Sequence, residues 1–269
     1  MSKKNPRPLP SNSRLLAVNL MHAMLGRTHL KASEWSLDDE AVAYAVQDGL
    51  VDMFGWYEDE NAPQYWKSGG PSREARLTHA PLPPELVMQR AHAPDGVVDF
   101  SEFSLPASIA EAEIALRIGR PVPRWEAETI TPAAAAALIH SFTVSIELVS
   151  SRWEEGSDAP ALLRLADLQS NGALALGDWL PWQPGRDWAT QACSLQVNDE
   201  APVHATGTHP LADPAWGLAA WLKHATRHGE TLPAGSVVTT GAWIVKKGLK
   251  AGDRITVGFE GLGAVSTKL

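Results

Sequence analysis

The sequence predicts an α+β protein, with helices first and strands after them. Near the N-terminus, apolar residues recur every three or four positions, which is the spacing of an amphipathic helix. From Ala107 onward, apolar and polar residues alternate, as they do in half-buried strands. A segment rich in Pro, Gly and polar residues separates the two patterns. We therefore predict a helical lobe over residues 1–60 and a β-rich domain over residues 61–269.

The lobe is predicted to contain two helices. Ser13 can cap the first helix, and Gly26 can end it. The second helix is predicted to begin at Ser36, with an acidic residue three positions later, and to stop at Gly55. From Gly55 to about Phe103 the composition indicates loops and short strands that connect the lobe to the rest of the chain.

The β-rich domain is predicted to alternate strands with short helices. A Thr-Pro pair and an Asp-Pro pair each mark a helix start, because Pro fits the first helical position. The predicted elements are the strand Glu111–Gly119, the helix Ala133–His140 capped by Thr131, the strand Thr143–Leu148, a helix opening at Asp213 and closing near Gly229, and the strands Val237–Val245, Arg254–Phe259 and Ala264–Lys268.

Two glutamates project from one face of the first of these strands. Side chains alternate with period two, so Glu111 and Glu113 lie together, opposite an apolar face. Neighbouring carboxylates repel unless a proton or a cation lies between them. Glu147 adds a third carboxylate on the polar face of a nearby strand. Three oxygen donors without Cys or His suit Mg²⁺ or Mn²⁺, and the alternative is that these are solvated glutamates on an exposed face.

Composition excludes several partners. The net charge of −8 argues against a nucleic-acid surface, which needs basic residues. Cys193 is the sole cysteine, so no internal disulfide is expected. No apolar run approaches the length of a membrane span, and Asn19 and His22 interrupt the stretch that could mimic a secretion signal. We therefore expect a cytoplasmic protein with neither nucleic acid nor membrane as partner.

Several segments together resemble the fumarylacetoacetate hydrolase superfamily, and within it the branch of 2-hydroxypentadienoate hydratase and oxalocrotonate decarboxylase. The resemblance is weak before Gln64 and good after Pro106. The segments are Glu111–Ala115, Ile146–Arg152, Pro210-Leu211 with Ala220–Leu222, and Thr240–Ala242 with Ala251–Asp253. The resemblance implies a mixed β-roll that holds magnesium or manganese through Glu111, Glu113 and Glu147.

The segment Tyr65–Gly69 resembles the Gly-Tyr/Trp-Lys-x-Gly motif of the family, which makes Lys67 the counterpart of its active-site lysine. In a dry pocket near a metal the pKa of this lysine should fall, which favours a general acid/base over a clamp on the substrate carboxylate. Gly69 belongs to the same motif and is assigned to substrate binding. Trp66 and Trp243 flank the candidate site segments, and we expect them to line the pocket.

The Asp-x-x-Ser motif of the branch falls on residues 167–170, where Asp167 and Ser170 would position substrate or water. A capped turn is the structural alternative for both. Leu168 and Gln169 stand where the family usually has Asn-Ala, and Ser150 stands where the hydratases usually have Asp. These departures leave the three glutamates intact but bear on which substrate is used.

The resemblance implies a metal-dependent hydratase, a lyase of the 2-keto-4-pentenoate type, acting on 2-hydroxydienoic or 2-oxo acids from aromatic catabolism. The alternatives are a 2-oxo acid decarboxylase of the same branch, an acylpyruvate-type carbon–carbon hydrolase, and a non-catalytic relative that binds oxo acids. The chain lacks the Asn-Asp-x-x-x-Arg-Asp segment typical of the hydrolases and has Glu147–Arg152 instead. We also expect a homo-oligomer.

Overall fold

Two β-sheets and a group of helices form the computed structural model, which describes residues 11–93, 95–103 and 105–269. The first ten residues of the predicted lobe lie outside the described residues. The α+β prediction is confirmed. Among the described residues, no helix has both the length and the apolarity that crossing a membrane would require.

The described residues form helices and strands along the whole chain. The helices are α1 (Ser11–Gly26), α2 (Glu40–Phe54), α3 (Arg124–Ala127), α4 (Pro132–Ala136), α5 (Ala161–Ala166) and α6 (Leu218–Ala225). The strands are β1 (Tyr65–Gly69), β2 (Thr78–Pro81), β3 (Val87–Gln89), β4 (Val97–Asp99), β5 (Ile109–Ile118), β6 (Ile139–Val149), β7 (Asn171–Leu176), β8 (Leu180–Pro181), β9 (Ala192–Val197), β10 (Val203–Thr206), β11 (Val237–Thr239), β12 (Ile244–Lys247), β13 (Arg254–Phe259) and β14 (Gly263–Lys268).

The larger sheet has the order β2-β1-β11-β5-β6-β7-β3, and β12 and β8 pair with β5 and β6. Its centre is the long antiparallel pair of β5 and β6, in which Ile114 lies opposite Val144. The smaller sheet has the order β10-β9-β13-β14-β4. The largest core includes Ile114 and Val144 from the larger sheet together with Val257 and Val265 from the smaller one. Burial of the apolar face of β5 and β6 therefore joins the two sheets.

The helical lobe has a second core of its own. Leu16 of α1 and Val46 of α2 are fully buried in it, and they share it with Trp153 and Leu163 from the later part of the chain. The indole Nε1 of Trp153 donates to the carbonyl of Leu163 at 3.0 Å, which fixes α5 against the lobe. Residues beyond position 60 thus complete the core of the lobe.

Both lobe helices are present, but their predicted starts are wrong. The first helix already includes Ser11, where the described residues begin, so Ser13 lies inside it, and the buried Oγ of Ser13 has no hydrogen-bond partner among the described residues. The second is capped by Asp39, whose carboxylate accepts from the N–H of Val42 at 2.9 Å, rather than by Ser36. Its end at Gly55 is confirmed, with φ 68 in the left-handed region that glycine tolerates best.

Two predicted elements of the second part are shorter than expected. The helix after Thr131 is capped as predicted, with the threonine Oγ1 accepting from the N–H of Ala134, but it ends at Ala136 because β6 begins at Ile139. The predicted helix at Asp213 begins only at Leu218, because the Asp213 carboxylate accepts from the N–H of Ala215 and forms a turn first.

The predicted strand Val237–Val245 is two strands, β11 and β12. Between them the backbone leaves the ladder, with Gly241 at φ 110 and the Thr240 hydroxyl donating to the carbonyl of Ile114 at 2.7 Å. Both strands still pair with β5. The strand Arg254–Phe259 is confirmed to the residue, and the last strand begins one residue earlier than predicted, at Gly263.

Candidate metal centre and active site

The two carboxylate strands lie side by side at the middle of the larger sheet. In the antiparallel register, Glu111 lies directly opposite Glu147, and Glu113 lies opposite Ser145. Because cross-strand partners share a face, all three glutamates project from the side of the sheet that faces away from the largest core. The predicted alternation of the β5 segment is therefore confirmed.

The three glutamate side chains converge on one point. One carboxylate oxygen from each of Glu111, Glu113 and Glu147 lies within 4.8 Å of the other two. Glu147 is 0% exposed and Glu113 is 2% exposed, while Glu111 is partly exposed. Two of the three are thus removed from water, which excludes the alternative of solvated glutamates on an open sheet face.

The charges in this cluster do not balance. Lys67 supplies one positive charge, through an ion pair between its Nζ and Oε1 of Glu147, against three carboxylates. Burial, and next the charge of Glu147, raise the pKa values of Glu111 and Glu113 above their ordinary range. A buried cluster of this kind is stabilised by bound protons or by a further cation.

The donor set fits a hard divalent cation. Oε2 of Glu147 is buried and has no hydrogen-bond partner among the described residues, so one carboxylate oxygen of the cluster remains available as a ligand. The grouped ligands are carboxylates, without a His or Cys among them. Oxygen-only donors match Mg²⁺ or Mn²⁺ better than Zn²⁺.

Lys67 reaches the cluster from β1, which runs parallel to β11, with Lys67 opposite Thr239. Its Nζ contacts Glu147 and also lies 3.3 Å from the backbone carbonyl of Gln169. The Thr239 hydroxyl donates to Oε2 of Glu113, so these neighbouring strands supply a cation and a donor to the glutamates.

Without a bound metal the pKa of Lys67 is raised, and the expected fall beside a metal ion stays a prediction. Burial alone would lower it, but the charges of Glu147, Glu111 and Glu113, together with the hydrogen bond to Glu147, outweigh burial and raise the pKa above its ordinary value. In this metal-free arrangement Lys67 is held as a cation beside the glutamates.

A strained turn presents the Gln169 carbonyl to Lys67. Leu168, Gln169 and Ser170 have φ values of 48, 53 and 58, a left-handed conformation that costs energy for residues with a Cβ atom. The Gln169 side chain donates to Oγ1 of Thr78 on β2, which anchors the turn. Strain of this kind often marks a functional segment.

Asp167 lies behind this turn and forms a buried ion pair with Arg152. Its Oδ1 accepts from Nε of Arg152, and its Oδ2 accepts from the Arg152 backbone N–H at 3.0 Å. Burial raises the pKa of Asp167 to about 6, although Arg152 opposes the rise. Ser170 is nearly buried, and its N–H donates to the carbonyl of Asp167 at 2.7 Å. The turn therefore closes through its backbone and has no side-chain cap, because the Asp167 carboxylate is bonded to Arg152 instead. Direct substrate contact by either residue stays a prediction.

The structure separates the residues expected to line the pocket. Gly69 lies on the same face of β1 as Lys67, and a Cβ built on it would stand 3.8 Å from Cα of Gly241. Trp66 points to the opposite face and joins the largest core. Trp243 is also in that core and packs against Phe259 with ring centroids 5.2 Å apart. Neither tryptophan is brought to the glutamates.

Sequence reasoning missed three residues that surround the glutamates. Asn171 donates from Nδ2 to Oε1 of Glu147 at 3.1 Å, and the other two are Thr239 and Gln169. The unusual glutamine within the Asp-x-x-Ser segment, and the asparagine directly after it, were available signals. Thr239 gave none, since a threonine in a strand is ordinary.

Comparison with known proteins identifies relatives of this fold. The fumarylacetoacetate (FAA) hydrolase C-terminal family matches residues 57–269. The 2-keto-4-pentenoate hydratase 1 of Dechloromonas aromatica (strain RCB) is 34% identical over 161 residues, which cover 58% of each chain. A 4-oxalocrotonate decarboxylase of Pseudomonas sp is 26% identical over 172 residues, or 64% of this chain and 63% of the relative. The chain thus matches less than two thirds of the length of these relatives.

Solved structures agree on the architecture. The 4-oxalocrotonate decarboxylase from Pseudomonas putida G7, complexed with magnesium and adipate, superposes with a TM-score of 0.78 at 22% identity, over 98% of this chain and 99% of that one. A fumarylpyruvate hydrolase from Pseudomonas aeruginosa, in complex with Mn²⁺ and pyruvate, gives a TM-score of 0.54 at 17% identity, over 77% of this chain and 89% of that one. At these identities the likeness establishes the fold, and it confirms the predicted fumarylacetoacetate hydrolase-like roll.

Proposed function

Since this chain belongs to the fumarylacetoacetate hydrolase family, we propose that it is a divalent-metal-dependent lyase that hydrates 2-hydroxydienoic acids or their 2-oxo tautomers. The observation that carries the proposal is the convergence of three glutamate carboxylates and Lys67 on one buried point. Relatives named 2-keto-4-pentenoate hydratase, at 34% and 33% identity, support hydration as the reaction.

In this proposal Glu111, Glu113 and Glu147 hold Mg²⁺ or Mn²⁺. When bound, such an ion supplies Lewis-acid stabilisation of the negative charge that develops on oxygen as a 2-oxo acid becomes its enolate. The Thr239 hydroxyl and the Asn171 amide each donate to one of the glutamates. Donors of this kind fix the orientation of carboxylate ligands.

Lys67 is the proposed general acid. Hydration of a 2-hydroxydienoate first moves a proton from the enol oxygen to C5, which gives the 2-oxo tautomer. The oxygen of water then bonds to C4, while C3 gains a proton and the attacking water loses one. Lys67 is paired with Glu147, so its ammonium group is placed to give a proton to the substrate carbon, and a cation that offsets the charge of the glutamates would make that proton easier to transfer. The carbonyl of Gln169, 3.3 Å from Nζ, helps to hold the ammonium group in place.

Decarboxylation is the second candidate. Three relatives named 4-oxalocrotonate decarboxylase match at 26–28% identity over about two thirds of this chain. Decarboxylation also passes through the enolate of a 2-oxo acid, and Lys67 could protonate that enolate in the same way. The glutamate cluster serves both reactions, so the difference between them lies in the part of the substrate farther from the oxo acid.

Product analysis separates these reactions. The purified protein is incubated with 2-hydroxypenta-2,4-dienoate, 4-oxalocrotonate and an acylpyruvate, each with Mg²⁺, with Mn²⁺ or with a chelator, and products are followed by NMR. We expect a 4-hydroxy-2-oxo acid from the dienoate, formed only with metal, and competitive inhibition by oxalate. Carbon dioxide from 4-oxalocrotonate with the dienoate unchanged would favour the decarboxylase. Pyruvate from the acylpyruvate alone would show a hydrolase, and no turnover of any substrate would favour a non-catalytic relative.

A further inference from the structure

A cavity of about 260 Å³ lies between the helical lobe and the ends of β6 and β7. Met24 near the end of α1 and Phe54 at the end of α2 line one side, and Leu86, Phe103 and Leu105 line another. The volume is many times the roughly 10–15 Å³ that holds one water molecule. The largely apolar wall fits an organic group better than ordered solvent.

Asn171 connects this cavity to the glutamate cluster. The residue lines the cavity, while its Nδ2 donates to Oε1 of Glu147 at 3.1 Å. Its Oδ1 is buried and has no hydrogen-bond partner among the described residues. Because an unpaired buried acceptor is costly, this oxygen would gain from a hydroxyl group or water molecule that a ligand brings within its reach.

The charged residues that line the cavity are poorly placed to bind a carboxylate on the tail of a substrate. Arg152 is buried, and its guanidinium bonds to Asp167 and to the backbone carbonyls of Ser150 and Asn171. Arg27 and Glu85 are exposed at the rim and carry opposite charges. A carboxylate inside the cavity would therefore lose its hydration without gaining a buried cation.

We propose that this cavity, granted the proposed function, receives the tail of the 2-oxo acid whose oxo-acid end is held at the glutamates. The tail is uncharged and apolar apart from one hydroxyl or water that donates to Oδ1 of Asn171. This specificity favours hydration over decarboxylation of 4-oxalocrotonate, because hydration places a new hydroxyl on the tail, whereas 4-oxalocrotonate carries a second carboxylate there.

Binding without turnover tests the tail directly. The Mn²⁺-loaded protein is titrated calorimetrically with pyruvate, 2-oxopentanoate, 2-oxohexanoate and 2-oxoadipate. Affinity should rise about fourfold with each methylene that enters the cavity. 2-Oxohexanoate and 2-oxoadipate both have six carbons and differ in the second carboxylate at the end of the tail. 2-Oxohexanoate should bind at least tenfold more tightly than 2-oxoadipate.

Two methionines of α1 provide a matched pair of variants. Met24→Trp would place a larger side chain in the cavity and should lower the ratio of 2-oxohexanoate to pyruvate affinity at least tenfold. Met21 lies about one turn away and is not among the residues that line the cavity, so Met21→Trp should leave that ratio unchanged. Asn171→Leu should reduce the preference for 4-hydroxy-2-oxopentanoate over 2-oxopentanoate.

The outcomes distinguish the two proposals. If none of the acids binds the Mn²⁺-loaded protein, the proposed function fails and this inference fails with it. If pyruvate binds but affinity does not rise with tail length, or if 2-oxoadipate binds most tightly, the cavity assignment alone is overturned. An unchanged affinity ratio in Met24→Trp would also overturn it.

Discussion

The two faces of the β5–β6 pair differ sharply. On one face, Ala112, Ile114 and Ile146 are fully buried in the core between the sheets. On the other, two residues from the same strands, Glu113 and Glu147, are almost equally buried but carry carboxylates. The first arrangement stabilises the fold through apolar burial, whereas the second costs stability until its charge is balanced. The difference shows which face is maintained for packing and which for chemistry.

The glutamate face is not polar throughout. Next to the cluster, Leu82, Ala115, Leu174 and Val237 form a third apolar core on the same side of the larger sheet. The carboxylates therefore lie beside low-polarity surroundings in which charge–charge interactions are strong. In such surroundings the positive charge of Lys67 interacts strongly with the three carboxylates. Removal of Lys67 should therefore have the largest effect on activity.

Lys67→Met removes the cation of the glutamate face. If Lys67 is a general acid, kcat for the 2-hydroxydienoate should fall by about two to four orders of magnitude, with Mn²⁺ binding retained. Steady-state kinetics and Mn²⁺ titration measure the two effects. Lys246→Met, which removes a partly exposed lysine paired with Glu200, is the control and should leave kcat unchanged. A rise in KM alone would instead make Lys67 a clamp on the substrate.

Paired substitutions on β5 compare the two faces directly. Ile114→Ala should destabilise the protein by about 2–5 kcal/mol, because it leaves a cavity in the core. Glu113→Gln keeps the shape but removes a charge, so metal-free stability should be unchanged or higher, while Mn²⁺ affinity falls at least tenfold. Urea unfolding of the metal-free proteins and Mn²⁺ titration give the two numbers. Wild-type Mn²⁺ affinity in Glu113→Gln would contradict a site built from three carboxylates.

Low pH should destabilise the folded protein through a buried histidine on the face of β1 opposite Lys67. There the Oγ of Ser68 lies 2.9 Å from Nδ1 of His79, and burial lowers the pKa of His79 to about 3. The unfolded chain takes up this proton below about pH 6.5 and the folded chain does not, so this contribution to stability is complete above pH 6.5 and is lost as the pH falls. Relative to His79→Gln, the wild type should lose about 1.4 kcal/mol per pH unit between about pH 6 and 4.

Unfolding by urea at several pH values measures this slope. Taking the difference between the wild type and the variant cancels the opposite titration of the buried carboxylates. His204→Gln, at an exposed position, controls for the exchange of histidine for glutamine itself. A constant difference for His79→Gln would mean that His79 is protonated in the folded protein.

The sequence predicted regular alternation better than it predicted polar contacts. Period two placed Glu111 and Glu113 on one face because a strand allows no other arrangement. The pairing of β1 with β11, which brings Lys67 opposite Thr239, joins residues far apart in the chain and leaves no local pattern. The sign of the pKa shift of Lys67 depended on that same contact with the glutamates, so it could not be foreseen from one segment. Trp66 followed its strand into the core, although its neighbour belongs to the site.

The smallest predicted effect concerns the strained turn beside the glutamate face. Gln169 has φ 53, and its side chain donates to Thr78. Gln169→Ala removes the hydrogen bond and keeps the strained Cβ, so it should cost about 1 kcal/mol. Gln169→Gly removes the strain as well and should be more stable than the Ala variant by about 1 kcal/mol. At Ala41, an exposed position of α2, the order should be reversed, and Ala41→Gly should make the protein less stable. If the Gly variant at 169 were also less stable than the Ala variant, the positive φ of Gln169 would not be a source of strain in the turn.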